Sequence, residues 1–200
     1  MAYPQTDVHT LRISFEDFLK YDEHTCAEWV NGEVIPMSPA SDRHQNVSGF
    51  LEAILRIYVE SKNLGVIRSA PYLMRLNEHT AREPDLLFLT NDNQDRLLPT
   101  YLDGPADLAI EIVSPDSLGR DRGDKFAEYE QAGISEYWLI DPIRQQAEFY
   151  QLVNHHYQTI DLQDGIYHSK VLPEFQLTEA WLWQDPLPNV LDILKYLNII

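Results

Sequence analysis

Two acidic residues and one lysine stand where their side chains can act together. Glu111 lies inside an apolar run, Leu108 to Val113, a pattern typical of a strand buried on both faces. Asp85 lies 26 residues earlier at the entrance to a second apolar run, and Lys125 lies 14 residues after Glu111 in a predicted helix. Carboxylates hold Mg²⁺, which polarises phosphoryl oxygens, and an ammonium can steady water or developing charge. The three residues therefore predict metal-assisted chemistry on a phosphate.

Each of these residues also has a purely structural interpretation. A carboxylate inside an apolar strand is costly unless it is paired, so Glu111 can be half of a buried ion pair. Asp85 can be a loop carboxylate that happens to precede an apolar run. Lys125 can be a surface lysine paired with Asp121 or Glu128 on its own helix. The sequence is compatible both with a metal-assisted site and with these structural roles.

The elements around the three residues follow from local patterns. Strand, loop, helix and strand succeed one another from Asp107 to Asp141, and Gly133 is a good helix stop. Tyr129 is four residues after Lys125, so it shares the face of the lysine, either as an accessory site residue or as part of the core. Asn31-Gly32 between two strand-like runs predicts a hairpin with a type I′ turn. Ser41 or Asp42 is expected to begin a helix that ends near Lys62.

Other segments are expected to complete the sheet and cover it. Strands are predicted at Gly65 to Ser69 and Tyr72 to Leu76, and an antiparallel pair at Gln146 to Val153 and His156 to Leu162. The polar stretch 90–104 is expected to be a loop or a short helix. Asn189 is expected to cap a last helix, 190–197.

Four segments together resemble the Uma2 family, formerly DUF820. They are AEWVNGEVIPMSPASDRH, EPDLLFL, AIEIVSPDS and DKFAEYEQAGISEYWLID, and the resemblance covers about residues 10 to 165. That family is similar to the PD-(D/E)xK nucleases. The resemblance implies an α/β fold of the restriction-endonuclease-like kind, in which helices flank a mixed central sheet, in one domain over residues 1–200.

The resemblance also implies roles for individual residues. It carries the two acids of the nuclease pattern onto Asp85 and Glu111, which with the carbonyl of Ile112 would bind Mg²⁺ or Mn²⁺. The usual lysine position, two residues after the second acid, is occupied by Val113. The lysine role is therefore carried onto Lys125, in the helix that follows. Two accessory residues are also implied: His44, after the SPAS loop, and Glu33, in the NGE element that corresponds to the DGE element of the family. Alternatively, His44 is a surface residue at the start of its helix and Glu33 faces solvent.

The charge balance limits how the chain can meet a nucleic acid. Fifteen basic against 32 acidic residues leave a net charge of −17, whereas a DNA-binding surface usually carries a basic footprint. Any contact with DNA is therefore expected to be local and sensitive to salt. Five arginines near the predicted site loops are the expected phosphate contacts: Arg43, Arg68, Arg82, Arg120 and Arg122.

The composition gives expectations for the cellular compartment, membrane spans and oligomeric state of the protein. The single cysteine, Cys26, excludes an internal disulfide and favours a cytoplasmic protein. No apolar run approaches the ~18–20 residues of a membrane span, so none is expected. The apolar C-terminal stretch PNVLDILKYLNII predicts a homodimer or, alternatively, a cap on its own sheet.

These observations lead to two functional hypotheses. The first is a magnesium-dependent endonuclease that hydrolyses DNA. The second is a non-catalytic nucleic-acid- or protein-binding protein that keeps the nuclease fold, which Val113 and the charge of −17 support.

Overall fold

The computed structural model describes residues 12–20, 26–114 and 117–200. The α-helices are α1 (Phe15–Phe18), α2 (Asp42–Ser61), α3 (Phe126–Ala132) and α4 (Val190–Tyr196). The first seven strands are β1 (Ala27–Val30), β2 (Glu33–Pro36), β3 (Gly65–Ser69), β4 (Leu73–Asn77), β5 (Thr80–Arg82), β6 (Leu86–Thr90) and β7 (Tyr101–Asp103). The other six are β8 (Leu108–Ile112), β9 (Glu136–Asp141), β10 (Gln146–Val153), β11 (His156–Thr159), β12 (Ile166–His168) and β13 (Gln176–Thr178). Short 3₁₀ segments cover Asn91–Arg96 and Glu179–Trp183, and a π-helical segment, Arg120–Lys125, leads directly into α3.

A six-stranded mixed sheet forms the centre of the fold, in the order β11-β10-β9-β8-β6-β3. Strands β8 and β9 are parallel, and the other neighbours are antiparallel. The expected antiparallel pair β10–β11 extends this sheet. Strands β6 and β8 are neighbours, with Leu86 opposite Ile110, so the segments that carry Asp85 and Glu111 lie side by side.

Side chains alternate between the two faces of this sheet, with α2 on one face and α3 on the other. Leu86, Ile110 and Ile112 point to the face covered by α2, whose buried stripe includes Leu51 and Ile54. Leu87, Ala109 and Leu139 belong to the opposite cluster, which includes Tyr129 of α3. Because Glu111 is two residues from Ala109, it shares the α3 face.

The helix and hairpin boundaries follow the local signals. Ser41 caps α2 by accepting a hydrogen bond from the His44 amide, and Gly133 ends α3 in the left-handed conformation with φ +87°. Val30 pairs with Glu33 across the predicted hairpin. Asn31 and Gly32 both have positive φ, 52° and 83°, as a type I′ turn requires.

A second sheet, in the order β2-β1-β5-β4-β7, is a feature that the sequence patterns do not predict. The predicted strand near Tyr72 to Leu76 joins this sheet rather than the central one. The polar stretch 90–104 contains the expected short helix and also β7, which pairs in parallel with β4. The segment Arg82 to Asp85 crosses from the second sheet to the central sheet, and this crossover positions the site.

The C-terminal segment packs on its own chain. Ile193 and Leu194 of α4 are buried, and Ile193 belongs to the same core cluster as α2. Three large apolar side chains of the segment stay exposed: Leu191, Tyr196 and Ile200. Over the described ranges, the helices are too short or too polar to cross a membrane.

Candidate active site

A cavity of about 470 Å³ opens where the two sheets meet, at the ends of β6 and β8. Asp85, Glu111, Ile112, Lys125 and His44 all contribute to its lining. They come from the loop before β6, from β8, from the π-helical segment and from the first turn of α2. The structure therefore brings the two carboxylates and the lysine into one pocket.

Glu111 is the buried end of this site, with 3% of its surface exposed. Its Oε1 accepts a hydrogen bond from the Tyr129 hydroxyl at 2.6 Å and lies 2.9 Å from Lys125 Nζ. Tyr129 is fully buried and belongs to the core on the α3 side, so it is both a core residue and a hydrogen-bond donor to Glu111. The Glu111 carboxylate is thereby held in one orientation from the helix side.

Lys125 contacts three carboxylates while only 2% of its side chain is exposed. Besides Glu111, its Nζ lies 3.0 Å from Glu28 Oε1 and 3.5 Å from Asp121 Oδ1. Asp121 and Lys125 both lie in the π-helical segment, and both are buried. The two residues are four apart, so they lie on the same side of the segment and face the same cluster.

Glu28 and Arg82 form the floor behind the lysine. Because Trp29 pairs with Ala81 across β1 and β5, Glu28 and Arg82 are opposite one another. Arg82 Nη1 donates to Glu28 Oε2 at 2.8 Å, and its Nε and Nη2 donate to Glu128 at 2.7 and 2.8 Å. Arg82 therefore ties the second sheet to α3 and completes the support of Lys125.

Asp85 stands at the mouth of the cavity and is linked to both neighbouring elements. Its Oδ2 accepts a hydrogen bond from the Ile112 amide at 2.7 Å, which clips the entrance of β6 to the end of β8. Its Oδ1 lies 3.2 Å from His44 Nε2, at the start of α2. Burial lowers the pKa of His44, but its hydrogen bond to Asp85 and the carboxylate charge outweigh that and raise the pKa.

The cluster contains more acidic than basic side chains, and this balance affects the pKa values of its carboxyl groups. Burial raises the pKa of Glu111 well above its usual range, and the charges of Asp121, Asp85 and Glu28 add to this against the opposing effect of Lys125. Burial and the charges of Glu28 and Asp85 likewise raise the pKa of Glu83 to about 7. Burial alone would raise the pKa of Glu28, but Lys125 and Arg82 outweigh it and lower that pKa.

The donor set suits a hard divalent cation. Mg²⁺ is commonly held by one or two carboxylates and completes its shell with water or phosphate oxygens. Asp121 Oδ1 is buried, accepts no hydrogen bond from the described residues and lies 3.5 Å from Lys125 Nζ. Within residues 12–20, 26–114 and 117–200, no three Asp, Glu, His or Cys side chains converge as a complete set of ligands. Asp85, Glu111 and Glu83 are the carboxylates of the cavity lining that could contribute oxygens to such an ion.

Four of the five arginines expected at phosphates are placed differently. Arg82 is buried in the ion cluster, so it cannot meet a phosphate. Arg43 donates to the carbonyls of Leu182 and Gln184 and tethers the C-terminal segment. Arg122 lies 2.5 Å from Glu148 Oε1. Arg68 lies on β3 and donates to the Ile67 carbonyl, outside the cavity lining.

Arg120 is the predicted arginine that lines the cavity. Its Nε is buried and has no hydrogen-bond partner among the described residues, so its side chain retains donor capacity at the site. Of the two interpretations of Glu33, the accessory carboxylate does not match its position. It lies on the outer strand β2, pairs with Arg12 at 3.1 Å, and is absent from the cavity lining.

The residues that sequence reasoning missed are Glu28 and Glu83, and Asp121 was considered only as a helix partner of Lys125. Glu28 is fully buried and contacts both cations of the cluster. A signal was present, since Glu28 interrupts an apolar run between Ala27 and Trp29. Glu83 directly precedes the Pro-Asp dipeptide and lines the cavity.

Comparison with known proteins agrees with this fold and with the expected resemblance. A crystal structure described as "a putative nuclease belonging to DUF820" from Anabaena variabilis has a TM-score of 0.73 and 19% sequence identity, and the match covers 86% of this chain and 97% of that one. The fold class predicted above is therefore confirmed.

Two uncharacterized proteins of Synechocystis sp. are similar in sequence. One is 24% identical over 146 residues, which cover 68% of this chain and 79% of that protein. The other is 23% identical over 142 residues, which cover 70% and 74%. The sequence model of Uma2, described as "Putative restriction endonuclease", matches residues 15–180. The chain therefore belongs to the Uma2 family.

Proposed function

We propose that the protein is a divalent-cation-dependent endonuclease that hydrolyses phosphodiester bonds in DNA. One observation carries this proposal. Lys125 Nζ lies 2.9 Å from Glu111 Oε1 in the cavity where Asp85 enters from the neighbouring strand. Two acids and one ammonium thus line a single opening, which is the set of groups that metal-assisted attack on a phosphate needs. The family description and the nuclease-like fold support the same class of reaction.

Asp85, Glu111 and the Ile112 carbonyl are the proposed ligands of Mg²⁺ or Mn²⁺. When bound, such an ion polarises a phosphoryl oxygen and lowers the pKa of bound water. Asp85 is positioned for this role by the Ile112 amide and His44, and Glu111 by Tyr129. His44 and Tyr129 are therefore proposed to orient the two acids.

Lys125 is proposed to act as a fixed positive charge rather than as a base. Burial would lower its pKa, but Glu111, Glu28 and Asp121 outweigh this and raise the pKa well above its usual range. The ammonium therefore stays protonated at neutral pH. A charged donor held beside Glu111 can orient the attacking water and stabilise the negative charge that develops on the phosphate.

Arg120 is the proposed contact to the phosphate backbone. It lines the same cavity, and the other predicted arginines are buried, paired or outside the lining. With a net charge of −17, the rest of the surface repels a polyanion. We therefore propose weak, local and salt-sensitive binding of DNA.

The proposal includes a cytoplasmic homodimer. The exposed thiol of Cys26 suits a reducing compartment. Three exposed apolar side chains lie on α4 and just after it, and a second copy of the chain would cover them: Leu191, Tyr196 and Ile200. This part of the proposal is independent of the chemistry at the cavity.

A cleavage assay with the purified protein tests the chemistry. Supercoiled plasmid and a labelled oligonucleotide are incubated with Mg²⁺ or Mn²⁺, and parallel reactions contain EDTA. We expect cleavage that EDTA abolishes, with a loss of about 10²-fold or more in Asp85→Asn, Glu111→Gln and Lys125→Met. Glu174→Gln, whose side chain is 81% exposed, is the matched control and keeps wild-type activity.

The alternative function is a non-catalytic binding protein, and a distinct experimental result would favour it. Val113 at the usual lysine position and the acidic surface support a binding protein that keeps the nuclease fold. Metal binding by calorimetry with no cleavage of DNA or RNA under any of these conditions would replace the nuclease proposal with that one.

A further inference from the structure

A second cavity adjoins the candidate active site beyond the end of β8. It has a volume of about 270 Å³ and is lined by Val113, Ser114, Leu118, Asp141, Ile143 and Arg144. Ser114 also lines the larger cavity, so the two cavities are adjacent. Val113 follows directly on the segment that contains Glu111 and Ile112. A group bound here would therefore lie next to a phosphate in the active site.

The outer wall of this cavity is a turn that the fold holds in place. Asp141, at the end of β9, is 3% exposed, and its Oδ1 accepts hydrogen bonds from the amides of Ile143 at 3.1 Å and Arg144 at 2.9 Å. Gln145 has φ +52° and continues the chain into β10. The turn therefore presents the side chains of Ile143 and Arg144 from a fixed backbone.

The lining combines an apolar surface with one available cation. Ile143 contributes an exposed apolar side chain, with 66% of its surface accessible. Val113 and Leu118 supply further apolar surface. The Arg144 guanidinium lies 3.7 Å from Asp141 Oδ2, and its side chain is 50% exposed. Such a long, solvated pair is weak, so an anion can compete for the arginine.

We propose that this cavity is a subsite for one unpaired nucleotide beside the scissile phosphate, so that the preferred substrate is single-stranded or frayed nucleic acid. The inference rests on the proposed nuclease function. A base offers a flat apolar face for Ile143, Val113 and Leu118, and its phosphate offers an anion for Arg144. A base inside a duplex is stacked and cannot enter such a pocket without leaving the stack.

The charge distribution supports an unpaired substrate over a long duplex. A duplex groove relies on many phosphate contacts, whereas this chain carries a net charge of −17. Arg43 and Arg82 are used inside the fold, and Arg122 is paired with Glu148. Contacts from Arg120 and Arg144 with one base between them need far fewer cations, because base contact supplies part of the affinity.

A binding experiment in EDTA tests the subsite without any cleavage. Fluorescence anisotropy of labelled oligothymidylate is compared for wild type, Ile143→Asp and Arg144→Gln. The matched controls are Leu98→Asp, at another exposed apolar side chain (37%) outside both cavities, and Lys195→Gln, whose pair with Asp192 also spans 3.7 Å at a separation of three residues. Thermal melts confirm that each variant is folded, and Ile143→Ser replaces Ile143→Asp if the latter is not.

We expect the two subsite variants to weaken binding by about fivefold or more and the controls to stay within about twofold of wild type. A blunt duplex should bind wild type more weakly than the single strand and should be insensitive to the subsite variants. Oligouridylate in place of oligothymidylate reports whether the subsite accepts ribose as well.

The proposal is overturned if subsite and control variants bind alike, if the blunt duplex binds as tightly as the single strand, or if wild type binds neither. These results are separate from the cleavage assay. Loss of binding in Ile143→Asp and Arg144→Gln, without any metal-dependent cleavage, would retain the nucleotide subsite and remove the nuclease.

Discussion

Lys125 Nζ and Glu111 Oε1 lie 2.9 Å apart although one residue sits in a helical segment and the other inside a buried strand. One of the two interpretations that the sequence leaves open, a buried ion pair, is observed for Glu111. It is half of a buried ion pair, and it also lines the cavity that Asp85 enters. An ion pair with Lys125 therefore does not exclude a metal at the same carboxylate.

Glu111→Gln is expected to remove metal binding without unfolding the protein. The raised pKa of Glu111 means that its charge opposes folding as pH rises above 4.5, and glutamine removes that charge. In EDTA at pH 8 we expect stability unchanged or higher by on the order of 1 kcal/mol, because Lys125 keeps Glu28 and Asp121 as partners. Thermal melts should show that Mg²⁺ stabilises wild type only.

The same melts can contradict the metal site. A fall of roughly 3–5 kcal/mol in EDTA, with no effect of Mg²⁺ on wild type, is the result expected if Glu111 serves only as a structural partner of Lys125.

Glu83→Gln is expected to flatten the dependence of stability on pH. The folded-state pKa of Glu83 is raised to about 7 from 4.5, so the folded protein holds this proton more tightly than the unfolded chain. Its contribution is fully present below pH 4.5 and is lost as pH rises to about 7. Urea titrations in EDTA should show a smaller decline for the variant, by on the order of 1–3 kcal/mol. Glu174→Gln should show the same decline of stability with pH as wild type. If Glu83→Gln also shows that decline, Glu83 does not bind its proton more tightly in the folded protein.

Arg82→Met is expected to destabilise the fold by about 3–5 kcal/mol. Glu128 is 24% exposed and can regain water, whereas Glu28 is fully buried and loses one of its two cations. Arg56→Met is the control, because its pair with Glu52 is partly exposed and should be worth less than about 1 kcal/mol. Equal losses for the two variants in urea titrations would contradict the assigned role of Arg82.

Arg120 and Arg122 are expected to differ in their effect on DNA binding. Arg120→Gln should reduce the slope of log affinity against log salt by about 1, because Arg120 lines the cavity. Arg122→Gln should leave the slope unchanged, since its guanidinium is paired with Glu148. Anisotropy titrations over a range of NaCl concentrations make the comparison, and an unchanged slope in Arg120→Gln excludes it as a phosphate contact.

The proposed homodimer is expected to sediment at twice 23.2 kDa at micromolar concentration. Tyr196→Lys combined with Ile200→Asp should shift it to the monomer, because both side chains are exposed and apolar in the single chain. Ile143→Asp, at an equally exposed apolar side chain elsewhere, should leave the mass unchanged. A wild-type mass of 23.2 kDa refutes the dimer.

Local signals were sufficient to predict the main elements and to single out two acids that line the cavity. Ser41 and Gly133 mark helix ends because their side-chain and backbone properties act within a few residues, and Asn31-Gly32 selects its turn for the same reason. Asp85 and Glu111 stood out because each is a charge at or inside an apolar strand, where burial demands a partner.

Tertiary structure decided which partners meet those acids. Glu28 reaches Lys125 and Arg82 only because β1 and β5 pair in a second sheet, a long-range contact that no local periodicity encodes. The spacing of four already places Asp121 and Lys125 on one face, but only folding brings Glu28 and Glu111 to that face. The sequence predicts Arg82 at the surface, because arginine is mostly exposed in proteins. Folding brings Glu28 and Glu128 within hydrogen-bond distance of its guanidinium, and these contacts offset the cost of burying it.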